Sequence, residues 1–182
     1  MRLTAFAGLE DLSPVVDMRA TLPLTVIAAQ IASTSGEYQV WSTLTFYNTL
    51  DMGHKVLSSF DTVIDDILSQ VKDGDEFRII YLMTPFPTLF SSYGDDVLGL
   101  DRAHTRKSVV FSIQGVLPTA KYQDLLRQRL KAATADIEAR ATDQLILYLY
   151  LNYASPDQRP LATYGEENIA SLSSVAEKYD PG

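Results

Sequence analysis

The 182-residue sequence contains no cysteine and only two histidines, His54 and His104. It therefore has no disulfide framework, no thiolate zinc site and no cysteine nucleophile. A metal site built on either histidine would need several carboxylate partners, so we predict no metal site. Glycine-rich phosphate loops, a nucleophile elbow and a zinc-protease motif are also missing, and nucleotide phosphate has no evident cradle in this chain.

Positive charge is scarce as well, since 15 Lys and Arg residues stand against 23 Asp and Glu residues, for a net charge of −8. This balance argues against a protein that binds nucleic acid through its phosphates. No apolar run is long enough to span a bilayer, so we expect no membrane partner. Residues 1–14 lack the cationic start and apolar run of a secretory signal, which favours a cytoplasmic location.

What is present predicts one globular α+β domain over residues 1–182, because 46% of the residues are hydrophobic and 21% are charged. Period-two alternation and apolar runs predict strands over 40–48, 77–85, 107–115 and 144–153. Helical spacing predicts helices over about 22–32, 51–72, 118–139 and 163–178. After a lead-in over 1–36, this order predicts a split βαβ, ferredoxin-like core over 40–153. Such a core is an antiparallel sheet of about four strands with helices on one face.

Three details of this plan are specific enough to test. Asp51 is expected to cap the helix over 51–72. The strand over 77–85 is expected to be buried on both faces, because its apolar run is nearly continuous. The last helix is expected to turn Ile169, Leu172 and Ala176 inward.

Because two helices can cover only one face of this sheet, the other face is the candidate site. In the fourth strand, the side chains predicted to face the helices are Leu147, Leu149 and Leu151. Those predicted on the other face are Tyr148, Tyr150 and Asn152, with Trp41, Thr43, Thr45 and Tyr47 of the first strand. Two interpretations stay open: a half-solvated or self-associating surface, or the wall of a pocket for a flat aromatic ligand.

Three motifs follow one another near the C-terminus: Tyr150-x-Asn152-Tyr153, Tyr164-Gly165-Glu166-Glu167-Asn168 and Tyr179-Asp180-Pro181. In this combination the chain resembles the C-terminal part of berberine-bridge-enzyme-like FAD-linked oxidases, which belong to the vanillyl-alcohol-oxidase/PCMH-type superfamily, particularly those of fungal secondary metabolism. The segments WSTLTFYN at 41–48 and DDVLGLDR at 95–102 resemble earlier parts of the same substrate domain. The FAD-binding lobe of that family has no counterpart here, so the resemblance predicts a truncated, substrate-binding domain.

The resemblance implies FAD as the cofactor and a small, natural-product-like substrate oxidised by hydride transfer to flavin. It makes Tyr150 the candidate catalytic residue and Asn152 the candidate flavin contact. The candidate substrate-binding residues are Tyr148, Trp41, Thr43, Thr45 and Tyr47. Tyr153 is expected to be structural, because a regular strand would point it to the other face. The FAD-binding lobe would be a partner in cis or in trans.

Two other functional classes remain open at this stage. One is a cofactor-free binding protein or cyclase that uses the tyrosine-lined face to hold an apolar metabolite. The other is a non-catalytic remnant or an assembly module that associates through the uncovered sheet face.

Overall fold

The computed structural model describes residues 21–31, 36–72, 74–86, 88, 96–100 and 106–181. The chain divides between residues 35 and 36 into two units. In the first unit, helix α1 spans Leu24–Ile31, within the predicted range 22–32. The second unit holds the sheet and the other helices.

Among the described residues of the second unit, the sheet is antiparallel and has three strands, in the order β1-β3-β2. The strands are β1 (Tyr38–Tyr47), β2 (Arg78–Phe86) and β3 (Ser108–Leu117). All ten residues of the central strand β3 are buried. The prediction that β2 is buried on both faces is wrong, because β2 is an edge strand of the described sheet. Its residues Ile80 and Met83 are 37% and 43% exposed.

Helices α2 (Leu50–Leu68) and α3 (Gln123–Ala141) cover one face of this sheet, which confirms the predicted α+β arrangement. Their buried stripes are formed by Met52, Val56, Val63, Ile67, Leu126, Leu130, Ala133 and Ile137. The cap of α2 is Thr49 and not Asp51: the Thr49 hydroxyl accepts a hydrogen bond from the Met52 N–H at 3.2 Å. Asp51 lies one turn from Lys55 and forms an ion pair with it at 2.6 Å.

Helix α4 (Glu166–Tyr179) begins three residues later than predicted. Ile169 and Leu172 are half-buried, whereas Ala176 is exposed, so the expected inward face is correct only in its first part. No helix within the described ranges is long and apolar enough to cross a membrane.

The predicted fourth strand over 144–153 is wrong. The segment lies beside β1, which is where the fourth strand of a split βαβ core would add. It forms a single β-bridge, between Phe46 and Leu145, and then a 3₁₀ turn over Leu151–Tyr153. Leu147 and Leu151 are 79% and 51% exposed and do not pack on the helices, whereas the half-buried Leu149 packs against the helix-side core as predicted.

A side chain takes the place of that strand at the outer edge of β1. The Gln158 Nε2 donates to the Thr43 carbonyl at 2.7 Å, and its Oε1 accepts from the Thr43 N–H at 3.1 Å. A primary amide thereby reproduces the donor and acceptor of a neighbouring strand, and the buried backbone of Thr43 is satisfied without one. The same Oε1 also accepts from the Ser155 N–H at 3.1 Å, which anchors the segment to the sheet edge.

Candidate functional site

The sheet face opposite α2 and α3 is half covered and half open. On the β1 side, the segment 145–164 lies against it, and Thr43 and Thr45 are only 0% and 1% exposed. On the β2 side, Ile80 and Thr84 remain exposed. The segment therefore leaves a step on this face, between its own edge and strand β2.

A cleft of about 360 Å³ lies at this step, and we call it the tyrosine cleft. It is lined by Tyr148, Tyr150, Tyr153, Thr84, Phe86, Val110, Leu98 and Leu100. Three of these come from the C-terminal segment, three from the sheet, and the two leucines from the loop 96–100. The volume lies near the lower end of the ~300–1,000 Å³ typical of small-molecule sites. A mainly apolar lining with a few hydroxyl groups suits one small molecule that carries a polar group.

Tyr148 forms the buried wall of the tyrosine cleft, with only 3% of the residue exposed. Its ring stacks on Tyr164, with centroids 5.8 Å apart, and lies 6.2 Å from the ring of Phe86. Burial, followed by the neighbouring Tyr164 and Tyr150, raises the pKa of Tyr148 to about 12. Tyr148 is therefore a neutral phenol at physiological pH, and its role in the cleft is packing.

Tyr150 and Asn152, the two residues singled out by the Y-x-N-Y motif, are in contact. The Asn152 Nδ2 donates to the Tyr150 hydroxyl at 2.9 Å. Because a phenol has one O–H donor and two lone pairs, Tyr150 can accept from Asn152 and still donate to a ligand oxygen. The pair thus places a hydroxyl group with a fixed partner at the exposed rim of the cleft.

Tyr153 also lines the tyrosine cleft, although the sequence predicts a structural role. That expectation assumed a regular strand, whereas the 3₁₀ turn brings positions three apart to one side. Tyr153 meets Tyr150 edge-to-face, with centroids 5.0 Å apart, and stacks on Trp41 at 4.5 Å with an interplanar angle of 7°. Trp41 therefore supports the cleft from behind and does not line it.

The other predicted substrate-binding residues lie elsewhere. Thr43 and Thr45 are buried under the C-terminal segment, and the Thr43 hydroxyl donates to the Phe111 carbonyl at 2.8 Å. Tyr47 lines a second cavity of about 320 Å³, and the Arg106 guanidinium lies 3.9 Å above the centre of its ring.

Sequence reasoning missed five lining residues, namely Thr84, Phe86, Val110, Leu98 and Leu100. Strand register explains part of this, because Thr45, Val110 and Thr84 lie directly opposite one another across the sheet. Correct pairing of the three strands would have placed Thr84 and Val110 on the site face. Leu98 and Leu100 belong to a loop whose sequence has no periodicity. The resemblance of the segment DDVLGLDR to the oxidase family is the only sequence signal for this loop.

Neither a metal nor a whole dinucleotide fits the described residues. They contain no group of three or more His, Asp or Glu side chains that could hold a metal ion. A cleft of about 360 Å³ accommodates one small molecule or ring system. FAD adds a pyrophosphate and an adenosine to its ring system, and the chain has no glycine-rich loop to hold them. The described residues thus fit a substrate-sized ligand and not the complete cofactor.

Comparison with known proteins finds similarity to flavoenzymes. The chain is 27% identical over 183 residues to the FAD-dependent monooxygenase drtC of Aspergillus calidoustus. This alignment covers 97% of this chain and 34% of that protein. It is 32% identical over 115 residues to the FAD-dependent monooxygenase sdcF of Emericella nidulans, covering 59% of this chain and 24% of the relative. The FAD-dependent monooxygenase macF of Penicillium terrestre is 30% identical over 93 residues, covering 50% and 17% respectively.

The chain thus spans about a third of the length of the first of these relatives and less of the others. No family model and no solved structure matches it. The relatives' names agree with the FAD-linked part of the resemblance seen in the sequence. They do not extend to its berberine-bridge-enzyme-like part.

Proposed function

We propose that this chain is the substrate-binding part of an FAD-linked oxidoreductase, and that the tyrosine cleft holds a small, mainly apolar, natural-product-like molecule. The observation that carries the proposal is the meeting of Tyr148, Tyr150 and Tyr153 at one cleft of about 360 Å³. The similarity to FAD-dependent monooxygenases supports the redox class. A bound flavin supplies the redox chemistry in such enzymes, with hydride transfer from substrate as the proposed step.

The residues of this chain would bind and orient the substrate. Tyr153 offers a ring surface, the buried Tyr148 supports the wall of the cleft, and Tyr150 offers an O–H donor whose direction is set by Asn152. A donor whose direction is fixed favours a ligand that brings an oxygen acceptor to the right point. We propose that Tyr150 is the catalytic residue among the cleft tyrosines and that Asn152 contacts the flavin.

The open half of the site face is where we expect the FAD-binding lobe to lie, in the same polypeptide or in another chain. Ile80 is 37% exposed there, and Thr84 on the same strand is also exposed, which suits a surface that a further protein layer covers. On this proposal the chain alone binds FAD weakly. A purified 182-residue protein that is yellow with stoichiometric flavin would contradict it.

The tyrosine cleft favours this proposal over a cofactor-free binding protein or cyclase. A cyclase must exclude water from its reacting substrate, which calls for an enclosed cavity. Among the described residues, Thr84 lines the cleft and is exposed, so these residues do not enclose it. An assembly module would instead associate through this face, and light scattering would then report dimers or larger species.

The chain carries a natural reporter for a binding experiment. Trp41 is the only tryptophan, and it stacks on Tyr153, so its emission should respond to a ligand in the tyrosine cleft. We expect 4-propylphenol to change this emission saturably, with a dissociation constant of about 0.1–1 mM, as suits a ligand of its size. The matched compound propylbenzene should bind about three- to tenfold more weakly, because it cannot accept from Tyr150. Absence of saturable binding, or equal binding of the two compounds, would refute the proposed site.

A further inference from the structure

One wall of the tyrosine cleft belongs to the loop 96–100, and a side chain of helix α4 holds this loop in place. The Asn168 Nδ2 donates to the Asp96 carbonyl at 3.1 Å and to the Tyr164 carbonyl at 2.9 Å. Both protons of the amide nitrogen are used, so one group joins the loop to the residues that precede α4. We call this pair of hydrogen bonds the Asn168 bridge.

The loop transmits the position of Asp96 to the cleft. The Asp96 carboxylate accepts from the Leu98 N–H at 2.8 Å and from the Leu100 N–H at 3.0 Å. The Gly99 N–H also donates to the Asp96 carbonyl, at 3.2 Å. Leu98 and Leu100 line the cleft. Since their backbone is bonded to Asp96, they move when Asp96 moves.

The contact between the loop and Tyr164 has little free space. Gly99 has a φ of +69°, and a Cβ atom at this position would lie 2.6 Å from the Tyr164 carbonyl oxygen. The ring of Tyr164 in turn stacks on Tyr148, which forms another wall of the cleft. Two walls of the cleft are thus connected through Tyr164, and the Asn168 bridge joins them.

We propose that Asn168 is a positioning residue that determines specificity: the Asn168 bridge sets the width of the tyrosine cleft and so the size of the ligand it accepts. The inference rests on the proposed function for the identity of the cleft as a binding site. It assigns a role to the Tyr164-Gly165-Glu166-Glu167-Asn168 motif, which contributes no side chain of its own to the cleft lining. The motif acts through the loop that it holds.

The test replaces Asn168 by Asp, which keeps the shape of the side chain but turns its donor into an acceptor facing two carbonyl oxygens. Asn48→Asp is the matched control. It is the same chemical change, at an exposed residue that does not line the cleft. Two quantities are measured by NMR on the full chain. One is the hydrogen-exchange rate of the Leu98, Gly99 and Leu100 amides without ligand. The other is the ratio of the affinities for narrow 4-propylphenol and wider 2-naphthol.

We expect Asn168→Asp to raise the three exchange rates about three- to tenfold and to shift the affinity ratio about threefold or more towards 2-naphthol, since the loss of even one of the two hydrogen bonds is worth about this factor. Asn48→Asp should change neither. Unchanged exchange would overturn the bridge itself. Faster exchange with an unchanged ratio would overturn the specificity role and leave the proposed function intact.

Two further outcomes are separable from these. If the unaltered chain binds neither compound, the proposed function fails and the specificity role fails with it, whatever the exchange rates show. If Asn168→Asp does not fold, Asn168→Ala serves instead, because it removes both hydrogen bonds of the bridge without adding a charge. A threefold shift of the ratio in that variant supports the proposal, and an unchanged ratio overturns it.

Discussion

The Asn152 side-chain amide donates to the Tyr150 hydroxyl across 2.9 Å, between residues only two positions apart in the chain. The backbone turns at Leu151–Tyr153, directly after Tyr150. The hydrogen bond from Asn152 fixes one lone pair of the phenol and leaves its proton for a ligand. The hydroxyl group of Tyr150 is therefore a donor with a fixed direction that can recognise an oxygen atom.

Removal of this hydroxyl group should abolish discrimination between matched ligands. In Tyr150→Phe, the affinity for 4-propylphenol should fall about three- to tenfold, to that of propylbenzene, since one hydrogen bond is lost. The affinity for propylbenzene itself should stay within about twofold, because the ring surface is retained. Titration of the Trp41 emission measures both affinities.

Tyr122→Phe is the control for this variant. The Tyr122 hydroxyl donates to Asp75 at 2.7 Å and does not line the cleft, so the same chemical change there should leave both affinities unaltered. A Tyr150→Phe variant that still prefers the phenol would exclude Tyr150 as the recognition group.

Gly99 should be the glycine of the loop and turns that tolerates alanine least. Gly99→Ala adds a left-handed backbone penalty to a contact of 2.6 Å with the Tyr164 carbonyl oxygen. Gly74→Ala carries the backbone penalty alone, because no atom lies within 4 Å of its Cβ position. We expect Gly99→Ala to lower the free energy of unfolding by about 1–2 kcal/mol more than Gly74→Ala does.

Gly53 provides a reference for the effect of alanine at a glycine that has neither constraint. Gly53 lies inside α2 with no atom within 4 Å of its Cβ position, so Gly53→Ala should raise the free energy of unfolding by about 0.5–1 kcal/mol. Urea denaturation of the three variants measures the order. Equal effects at Gly99 and Gly74 would mean that the loop does not press on Tyr164.

Gln158 should contribute to stability as a strand would. In Gln158→Ala, the buried N–H and carbonyl of Thr43 lose their partners, and the free energy of unfolding should fall by about 2–3 kcal/mol. Gln128→Ala, at an exposed position of α3, should change it by no more than about 0.5 kcal/mol. If both variants were equally stable in urea denaturation, the amide would not be the partner of β1.

Alkaline pH should destabilise the fold through Tyr148. Its pKa is about 12 in the folded chain, above the ordinary value near 10 of the unfolded chain. The unfolded state therefore loses the proton first. The contribution of Tyr148 is complete below pH 10 and disappears between pH 10 and 12.

The size of this loss should be on the order of 2 kcal/mol, and Tyr148→Phe should remove it. Burial also raises the pKa of Tyr81 and of Tyr164, so part of the alkaline slope should remain in the variant. Denaturant unfolding from pH 8 to 12 compares the two slopes. Identical slopes would show that Tyr148 is not held as a buried neutral phenol.

The regular elements of this fold could be predicted because their packing is periodic. Strands β1 and β3 begin and end within two residues of their predicted limits, since each has one side packed on the helices. The segment 144–153 has the same alternation, yet Gln158 occupies the edge that a strand would need. The alternation within 144–153 does not reveal that the Gln158 side chain pairs with Thr43 at this edge.

The site was predictable only in part, because a local sequence pattern does not show contacts between residues that lie far apart in the chain. Tyr148 and Tyr150 were placed correctly on the site face, because the first residues of the segment follow β1. Tyr153 was not, since its direction depends on the 3₁₀ turn. Leu98 and Leu100 belong to a loop whose position depends on Asn168, about 70 residues later in the chain.

Methyl NMR tests the central claim most directly, since it shows where a small ligand binds to this chain. Titration with 4-propylphenol should shift the methyl signals of Leu98, Leu100 and Val110, which line the tyrosine cleft, and give contacts from them to the ligand ring. The methyl signals of Val56, Leu126 and Leu130, buried on the helix side of the sheet, should not move. Shifts confined to the helix-side core, or no ligand contact at the three cleft residues, would contradict the account.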